Sequence, residues 1–157
     1  MEIADYRDRI AEHRPCGEGL EEFLEARTRH DVFLCMMDGM NTDFFLESVR
    51  DGWGPSGEDV LRIFGRHVNG YVTREGASMW CNYSGKIIPP PEVRRIVLLD
   101  CGDVEIEMPE RTRYAKIQMA GDDCRLLLKG RDTTFVQVRR YSGSVRSEGV
   151  DAKIYDR

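Results

Sequence analysis

Long apolar runs and recognisable catalytic motifs are both missing from this sequence. None of its 157 residues lies in an apolar stretch near the ~20 residues that a membrane-spanning helix requires. Residues 1–5 lack the basic and then apolar segments that open a secretory signal peptide. Glycine is plentiful, yet neither a GxGxxG nor a Walker pattern occurs, so a phosphate-binding loop is not predicted. We therefore expect a cytoplasmic protein without a membrane segment and without a cofactor.

Paired cysteines are also missing. The five cysteines are odd in number and form no CxxC pair, and each stands among apolar neighbours, where a free thiol behaves as a small hydrophobe. They are Cys16, Cys35, Cys81, Cys101 and Cys124. This pattern indicates a reducing compartment and no disulfide framework.

Two His/Cys half-sites come nearest to a metal motif. His13-x-x-Cys16 and His30-x4-Cys35 would together supply two imidazoles and two thiolates, which is adequate for tetrahedral zinc. Their spacings match no standard zinc finger, and Cys35 stands inside an apolar run. We therefore predict surface histidines and core thiols here, and no metal site.

A catalytic cysteine has equally little support. A reactive thiol needs an adjacent base. Cys81 is the one cysteine near a polar loop, and His67 is the histidine that could reach it in space. We predict no catalytic residue. The alternative is a small enzyme or ligand-binding domain whose pocket, lined by Trp80, Cys81 and Tyr83, lies between a helical cap and the first β coils.

Charge is unevenly divided along the chain. Residues 1–70 carry 15 acidic and 8 basic side chains, a net charge of −7, whereas residues 71–157 carry 13 and 15, a net charge of +2. An acidic half repels nucleic acid at long range. Binding to DNA or RNA is therefore not expected.

Apolar residues at helical spacing predict four to five short helices in the first half. Thr42 is a predicted N-cap, and Ser56 with Asp59 a predicted capping box. The Arg14-Pro15 step ends the first helix. The remaining predicted spans are 17–26, 31–37, 43–50 and a last helix from Ser56 to Asn69-Gly70.

Strict alternation of apolar and polar residues predicts half-buried strands in the second half. Val104, Ile106 and Met108, for example, alternate with glutamates. Similar segments recur about every twenty residues: the intervals from Cys81 to Cys101 and from Val104 to Cys124 are both 20 residues. The repeat predicts two strands per coil of a stacked β structure.

Two architectures fit this repeat, a β-solenoid and an antiparallel meander or sandwich. At one-period spacing, Glu105 would attract Arg125, whereas Arg125 would repel Arg146, so charge does not decide between them. Two-residue Asn-Gly or Asp-Gly loops are absent between the predicted strands, which favours the solenoid. We predict an α+β protein with a helical lobe over 1–70, which caps the first coil, packed against a β-repeat lobe over 71–157.

A tryptophan between two glycines is the most prominent candidate contact residue. Trp53 stands in a Gly-Trp-Gly-Pro loop, where it either folds back onto the core or serves as an exposed aromatic anchor of the kind that dominates protein interfaces. Nearby methionine and phenylalanine side chains would supply an adaptable apolar floor. These are Met36, Met40, Phe44 and Phe45.

Two further surfaces are predicted near the C-terminus. Arg139 and Arg140, with Tyr141, form the best small patch for an anionic partner. A final coil near Ala152-Lys153-Ile154-Tyr155 would be uncapped, so a structural homo-oligomer joined through it is a further alternative.

Residues 14–24, which read RPCGEGLEEFL, resemble a segment of small uncharacterised proteins of bacteriophages and mobile elements. The layout of helices followed by a β repeat is similar across most of the chain. The resemblance implies an accessory protein, in a group that includes inhibitors of bacterial defence enzymes such as anti-CRISPR proteins, and it transfers no functional residue. We therefore expect a non-enzymatic protein that binds a host or phage protein.

Overall fold

Five helices precede nine strands in the computed structural model, which describes residues 1–13 and 17–157. The helices are α1 (Ile3–His13), α2 (Gly17–Glu25), α3 (Arg29–Met37), α4 (Gly39–Arg50) and α5 (Gly57–Phe64), and a 3-10 turn spans Arg66–Val68. The strands are β1 (Ala77–Cys81), β2 (Gly85–Ile87), β3 (Arg95–Leu99), β4 (Asp103–Glu107), β5 (Tyr114–Ala120), β6 (Arg125–Lys129), β7 (Phe135–Arg140), β8 (Ser144–Glu148) and β9 (Asp151–Asp156). Among the described residues, no helix is long and apolar enough to cross a membrane. The predicted α+β class is confirmed, whereas the predicted helix end at Arg14-Pro15 lies outside the described residues.

Capping boxes open two of the described helices, α3 and α5. Ser56 and Asp59 form the predicted capping box of α5, and the carboxylate of Asp100 also accepts a hydrogen bond from the Gly57 amide at 2.6 Å. The predicted N-cap at Thr42 is wrong, because α4 begins at Gly39 and its N-cap is Asp38. Thr42 is buried inside α4, where its hydroxyl donates to the Met36 carbonyl at 2.8 Å.

The strands wind into a parallel β-solenoid of about four coils, with two strands in each coil. One sheet has the order β1-β3-β5-β7-β9 and the other β2-β4-β6-β8, and every one of these strand pairs is parallel. The predicted solenoid is confirmed, and the antiparallel meander or sandwich is wrong.

The predicted register between coils is wrong by two residues in the second sheet. Val104 pairs with Leu126 instead of Cys124, and Glu105 stands beside Leu127 instead of Arg125. Because side chains alternate with a period of two, a slip of two residues leaves the same set facing inward. The apolar pattern therefore fixed the inward face but could not fix the register.

Aliphatic side chains in line fill the space between the two sheets. Ile96, Ile117 and Val138 occupy matching positions on successive coils and are fully buried. Such stacking of like residues at each level is what permits a narrow core built from repeats.

The helical lobe covers the outer face of the five-stranded sheet. Met79 and Cys81 of β1, and Val97 and Leu99 of β3, share one buried cluster with the apolar faces of the helices. The helices thus lie on the flank of the solenoid, and residues 69–73 cover the free edge of β1. The predicted helical cap over the first coil is therefore corrected to a flank contact.

Candidate functional site

Most of the predicted basic patch at residues 139–141 takes part in the contact between the helical lobe and the solenoid. Arg139 lies on the outer face of β7, and Tyr141 directly follows this strand. Both side chains point towards α4. Arg139 Nη1 donates to Asp43 Oδ2 at 2.5 Å, and the Tyr141 hydroxyl donates to Asp43 Oδ1 at 2.5 Å. Gln118 Nε2 donates to the same Oδ1 at 2.8 Å. We call Asp43, Gln118, Arg139 and Tyr141 the Asp43 cluster.

In the Asp43 cluster, burial and hydrogen bonding shift the pKa of Asp43 in opposite directions. Burial alone would raise the pKa of Asp43, but the hydrogen bonds from Tyr141, Gln118 and Arg139 outweigh it, and the pKa is lowered below its ordinary value. Burial, and then the hydrogen bond to Asp43, raise the pKa of Tyr141. Tyr141 therefore stays a neutral donor, and Asp43 an anion held by three donors.

Arg140 points away from this cluster. Its Nε donates to Asp156 Oδ1 of β9 at 2.7 Å. The three residues of the predicted patch are therefore divided between an interlobe contact and a surface ion pair, and they do not form one free basic surface. Sequence reasoning missed Asp43 because its partners lie 75 to 98 residues away.

The predicted apolar floor is divided between core and surface. Met36 and Phe45 are buried in the helical core, so the structure corrects their assignment to an exposed surface. Met40 is 71% exposed, and Phe44 is half-buried on the same face of α4, four residues further on. Helical periodicity alone could not make this division, because α3 and α4 are apolar on more than one face.

Trp53 folds against the helical lobe while keeping part of its ring exposed. Its ring lies 5.6 Å from that of Phe44 and stacks on the imidazole of His13 at a centroid distance of 3.9 Å. Arg9 Nη1 donates to the Trp53 carbonyl at 2.8 Å, which fixes the backbone of the loop. We call Met40, Phe44 and Trp53 the α4 strip.

The glycine after Trp53 explains the shape of this loop. A Cβ at Gly54 would lie 2.2 Å from Ser48 Oγ and 2.8 Å from the Val49 amide. A larger residue would therefore push the loop off the end of α4. The close approach holds Trp53 in its place beside Phe44.

The predicted pocket lined by Trp80, Cys81 and Tyr83 does not form. Alternation along β1 places Cys81 on its outer face, fully buried under the helices, while Trp80 and Tyr83 pack against the solenoid core. Burial raises the pKa of the Cys81 thiol well above its ordinary value. A thiol in this state is a poor nucleophile at neutral pH.

His13, His30 and Cys35 are the members of the two His/Cys half-sites that the structure describes, and they do not form a metal centre. His13 stacks on Trp53, and Cys35 accepts a weak hydrogen bond from Asn41 Nδ2 at 3.6 Å. Within residues 1–13 and 17–157, no group of three His, Cys, Asp or Glu side chains is placed to hold a metal ion. Cys16, the other thiol of the first half-site, lies outside the described residues.

Two hollows of the surface had no signal in the sequence. A groove of about 630 Å³ runs over the second sheet, where Arg125 forms an ion pair with Asp103 and Lys86 forms one with Glu105. A smaller hollow of about 230 Å³ has an aromatic floor with an arginine and two histidines at its rim. Its lining includes Arg29, His30, Phe33, Phe64, His67 and Tyr71.

Comparison of the chain with protein-family models, with curated proteins and with solved structures finds no match.

Proposed function

We propose that this chain is a non-enzymatic binding protein that acts through contact with another protein. The observation that carries this proposal is the α4 strip, in which Met40, Phe44 and Trp53 present an apolar surface in an otherwise acidic half. Contiguous exposed apolar surface rimmed by polar residues marks interaction sites. Methionine is flexible and polarizable, whereas the ring of Trp53 is held by the rings of Tyr6, His13 and Phe44. The strip therefore combines an adaptable and a rigid part.

The charge around the strip favours a basic partner surface. Residues 1–70 have a net charge of −7, and Glu47, one turn beyond Phe44 on α4, is exposed. Complementary charge at the rim speeds association and excludes wrong partners. We therefore expect a partner with an apolar centre and positively charged surroundings.

The state of the four thiols that the structure describes argues against their use as catalytic nucleophiles. Burial raises the pKa of Cys35 to about 11, of Cys101 to about 11 and of Cys124 to about 12. Together with Cys81 these are free cysteines, which supports the proposed reducing, cytoplasmic location.

Affinity capture with a matched pair of variants tests the proposed surface. Met40→Lys places a charge in the α4 strip, and Ile88→Lys places the same charge at a similarly exposed apolar residue (64%) of the β half. We expect wild type and Ile88→Lys to recover the same protein from a bacterial or phage-infected lysate, and Met40→Lys to recover at least about 10-fold less, which corresponds to ~1.4 kcal/mol. Equal recovery by both variants, or no recovery by wild type, would contradict the proposal.

The resemblance of residues 14–24 supplies the biological setting of the proposal. In that setting the partner is a host or phage protein, and the role is inhibition of a bacterial defence enzyme. Expression of the chain should restore phage plating on cells that carry the susceptible defence system, and Met40→Lys should abolish this restoration while Ile88→Lys retains it. If the wild-type chain leaves restriction unchanged across a panel of defence systems, CRISPR systems included, the inhibitor role is excluded. The capture experiment then decides the binding proposal by itself.

A further inference from the structure

The two ends of the solenoid differ in whether the backbone edges of their outermost strands are blocked. We call the end formed by β1 and β2 the head and the end formed by β8 and β9 the tail. An open strand edge exposes a row of amide and carbonyl groups that can pair with another chain, and proteins usually block such edges. The treatment of the two ends therefore bears on what the solenoid can assemble with.

The β1 edge of the head is closed by the chain that precedes it. The Gly70 amide donates to the Met79 carbonyl at 3.1 Å, and Thr73 exchanges hydrogen bonds with Ala77 through its amide and its hydroxyl. The side chain of Asn69 accepts from the Cys81 amide at 2.7 Å and donates to the Cys81 carbonyl at 3.0 Å. The Asn69 side chain thus takes the place of a strand.

The β2 edge of the head is blunted in other ways. β2 has three residues, and the hydroxyl of Tyr83 donates to the carbonyl of Lys86 at 3.1 Å. Prolines 89–91 follow closely, and proline cannot donate to a strand ladder. Neither edge of the head is a template for another strand.

Within the described residues, none of the features that block the strand edges of the head occurs at the tail. No described strand pairs with the outer edge of β8 or of β9. The Asp151 amide donates to the carbonyl of Thr134, the residue before β7, and the Arg157 amide donates to the carbonyl of Arg140 in β7. Because alternate residues of a strand direct their backbone groups to opposite edges, those of Ala152 and Ile154 point away from β7. In β8, where Ser144 donates to Cys124, the same rule turns the groups of Val145 and Ser147 outward.

The apolar interior is also open at the tail. Ile154 continues the line of Ile117 and Val138, which are fully buried, but is itself 41% exposed. Val145 continues the line of Leu126 and is half-buried. A partner that covers the tail would therefore gain both strand pairing and apolar burial.

A suitable partner must present two strand edges at the spacing of two packed sheets, about 10 Å. The tail of a second copy of this chain meets this requirement by construction, and the closed head does not. The tail is also electrically neutral, since residues 144–157 carry three basic and three acidic side chains, so two tails do not repel each other as two helical lobes would.

We propose that two copies of the chain join tail to tail, about a two-fold axis perpendicular to the solenoid axis. The two-fold axis makes the new strand pairs antiparallel, and the interface is isologous and closed, so a dimer forms and not a fibre. This dimer goes beyond the proposed binding function, because its interface lies in β8 and β9 and leaves the α4 strip free in both copies.

Two charge substitutions on one strand test the dimer. Ile154→Lys places a charge in the open interior of the tail, and Tyr155→Lys places the same charge on the outer face, at a residue of similar exposure (37%). In sedimentation equilibrium we expect wild type and Tyr155→Lys to have twice the 18.1 kDa mass of one chain, and Ile154→Lys to have that mass alone. Wild type that stays monomeric at about 100 µM, an Ile154→Lys protein that stays dimeric, or species that grow beyond a dimer would each overturn the proposal.

Amide exchange tests the same interface without a substitution. The Ile154 amide points to the open edge, whereas the amides of Lys153 and Tyr155 point to β7. Protection of the Ile154 amide should rise with protein concentration by at least about 10-fold, while that of its two neighbours stays constant. Constant fast exchange at Ile154 would overturn the proposal. Loss of the dimer in Met40→Lys but not in Ile154→Lys would instead place the self-contact in the α4 strip, a result distinct from failure of the capture experiment.

Discussion

Asp43 links the helical lobe to the solenoid through its side chain. Its carboxylate accepts hydrogen bonds from three side chains of the solenoid, and Arg139 Nε is already buried without a partner among the described residues. Asp43 and Arg139 are partly buried, and removal of one partner of such a pair costs more than the pair contributes, because the remaining charge is left uncompensated. The cluster is thus a sensitive point for stability although no repeat or motif marks it.

We expect Asp43→Ala to lower the free energy of unfolding by about 2–4 kcal/mol, because it leaves Arg139 and Tyr141 without their acceptor. Urea unfolding followed by circular dichroism measures this loss. Asp156→Ala is the matched control, since its ion pair with Arg140 is at the surface and should contribute at most ~1 kcal/mol. Equal losses in the two variants would contradict the assignment.

The pH dependence of this loss has a definite sign. The pKa of Asp43 is lowered in the folded state, so its ionised form contributes stability that is fully present above the unfolded pKa of ~3.9. That contribution disappears as the pH falls through the lower, folded pKa. The difference in stability between wild type and Asp43→Ala should therefore be constant from pH 5 to 7, within about 0.5 kcal/mol, and shrink below pH 4. A difference that grows on acidification would contradict this assignment.

At the scale of elements, the edge of β1 shows how a side chain can replace a strand. Asn69 satisfies the amide and the carbonyl of Cys81, a residue with no exposed surface. A buried backbone group without a partner carries the full cost of its desolvation. Closure of the head is therefore a contribution to stability as well as a barrier to assembly.

Asn69→Ala should lower the free energy of unfolding by about 1–3 kcal/mol, because it leaves the amide and carbonyl of Cys81 unsatisfied. Asn41→Ala is the matched control, since Asn41 donates to the exposed Glu22 carboxylate and weakly to Cys35. Its substitution should cost less than about 1 kcal/mol. Chemical denaturation of both variants measures the two losses, and a larger loss for Asn41→Ala would show that the edge is closed by other means.

The elements differ in how far their sequence predicts them. The capping box at Ser56 and Asp59 and the alternation in β4 are local, so they could be predicted. The start of α4 could not, because Asp38 and Thr42 are both acceptable N-caps and the choice depends on the packing of Thr42. The register of β4 on β6 could not, since a slip of two residues keeps the same side chains inward.

The same limit applies to the candidate site. Exposure of Met40 and burial of Met36 depend on which neighbouring helix covers which face of α3 and α4, and helical spacing does not reveal this. The contact of Asp43 with Arg139 joins residues 96 positions apart.

At the scale of the whole molecule, the solenoid should open as one unit. Each coil is held by its neighbours, and buried thiols are spread over the stack at Cys81, Cys101 and Cys124. Stacked repeats are coupled through their nearest neighbours. Because their access to solvent requires separation of the coils, these thiols report on opening of the stack.

We expect a thiol reagent at pH 7.5 to modify Cys81, Cys101 and Cys124 at nearly equal rates, each at least about 100-fold slower than in the unfolded chain. Peptide mapping by mass spectrometry measures each site separately. Cys35, which is half-buried, should react faster and serves as the internal control. Fast modification of Cys124 alone would show that the coils near the tail open independently.

The step from β3 to β5 and the step from β5 to β7 are equal in length, and this equality sets how the chain can change in length. Arg95 is matched by Lys116, and Tyr114 by Phe135, an advance of 21 residues in both cases. Deletion or duplication of one such segment would leave every inward side chain at an equivalent position of a coil, and the strands that follow could pair as before. Insertions of other sizes would turn the buried side chains towards solvent, unless the extra residues were accommodated in a turn between strands. Genetic variation in the size of this molecule is therefore expected to come in whole coils.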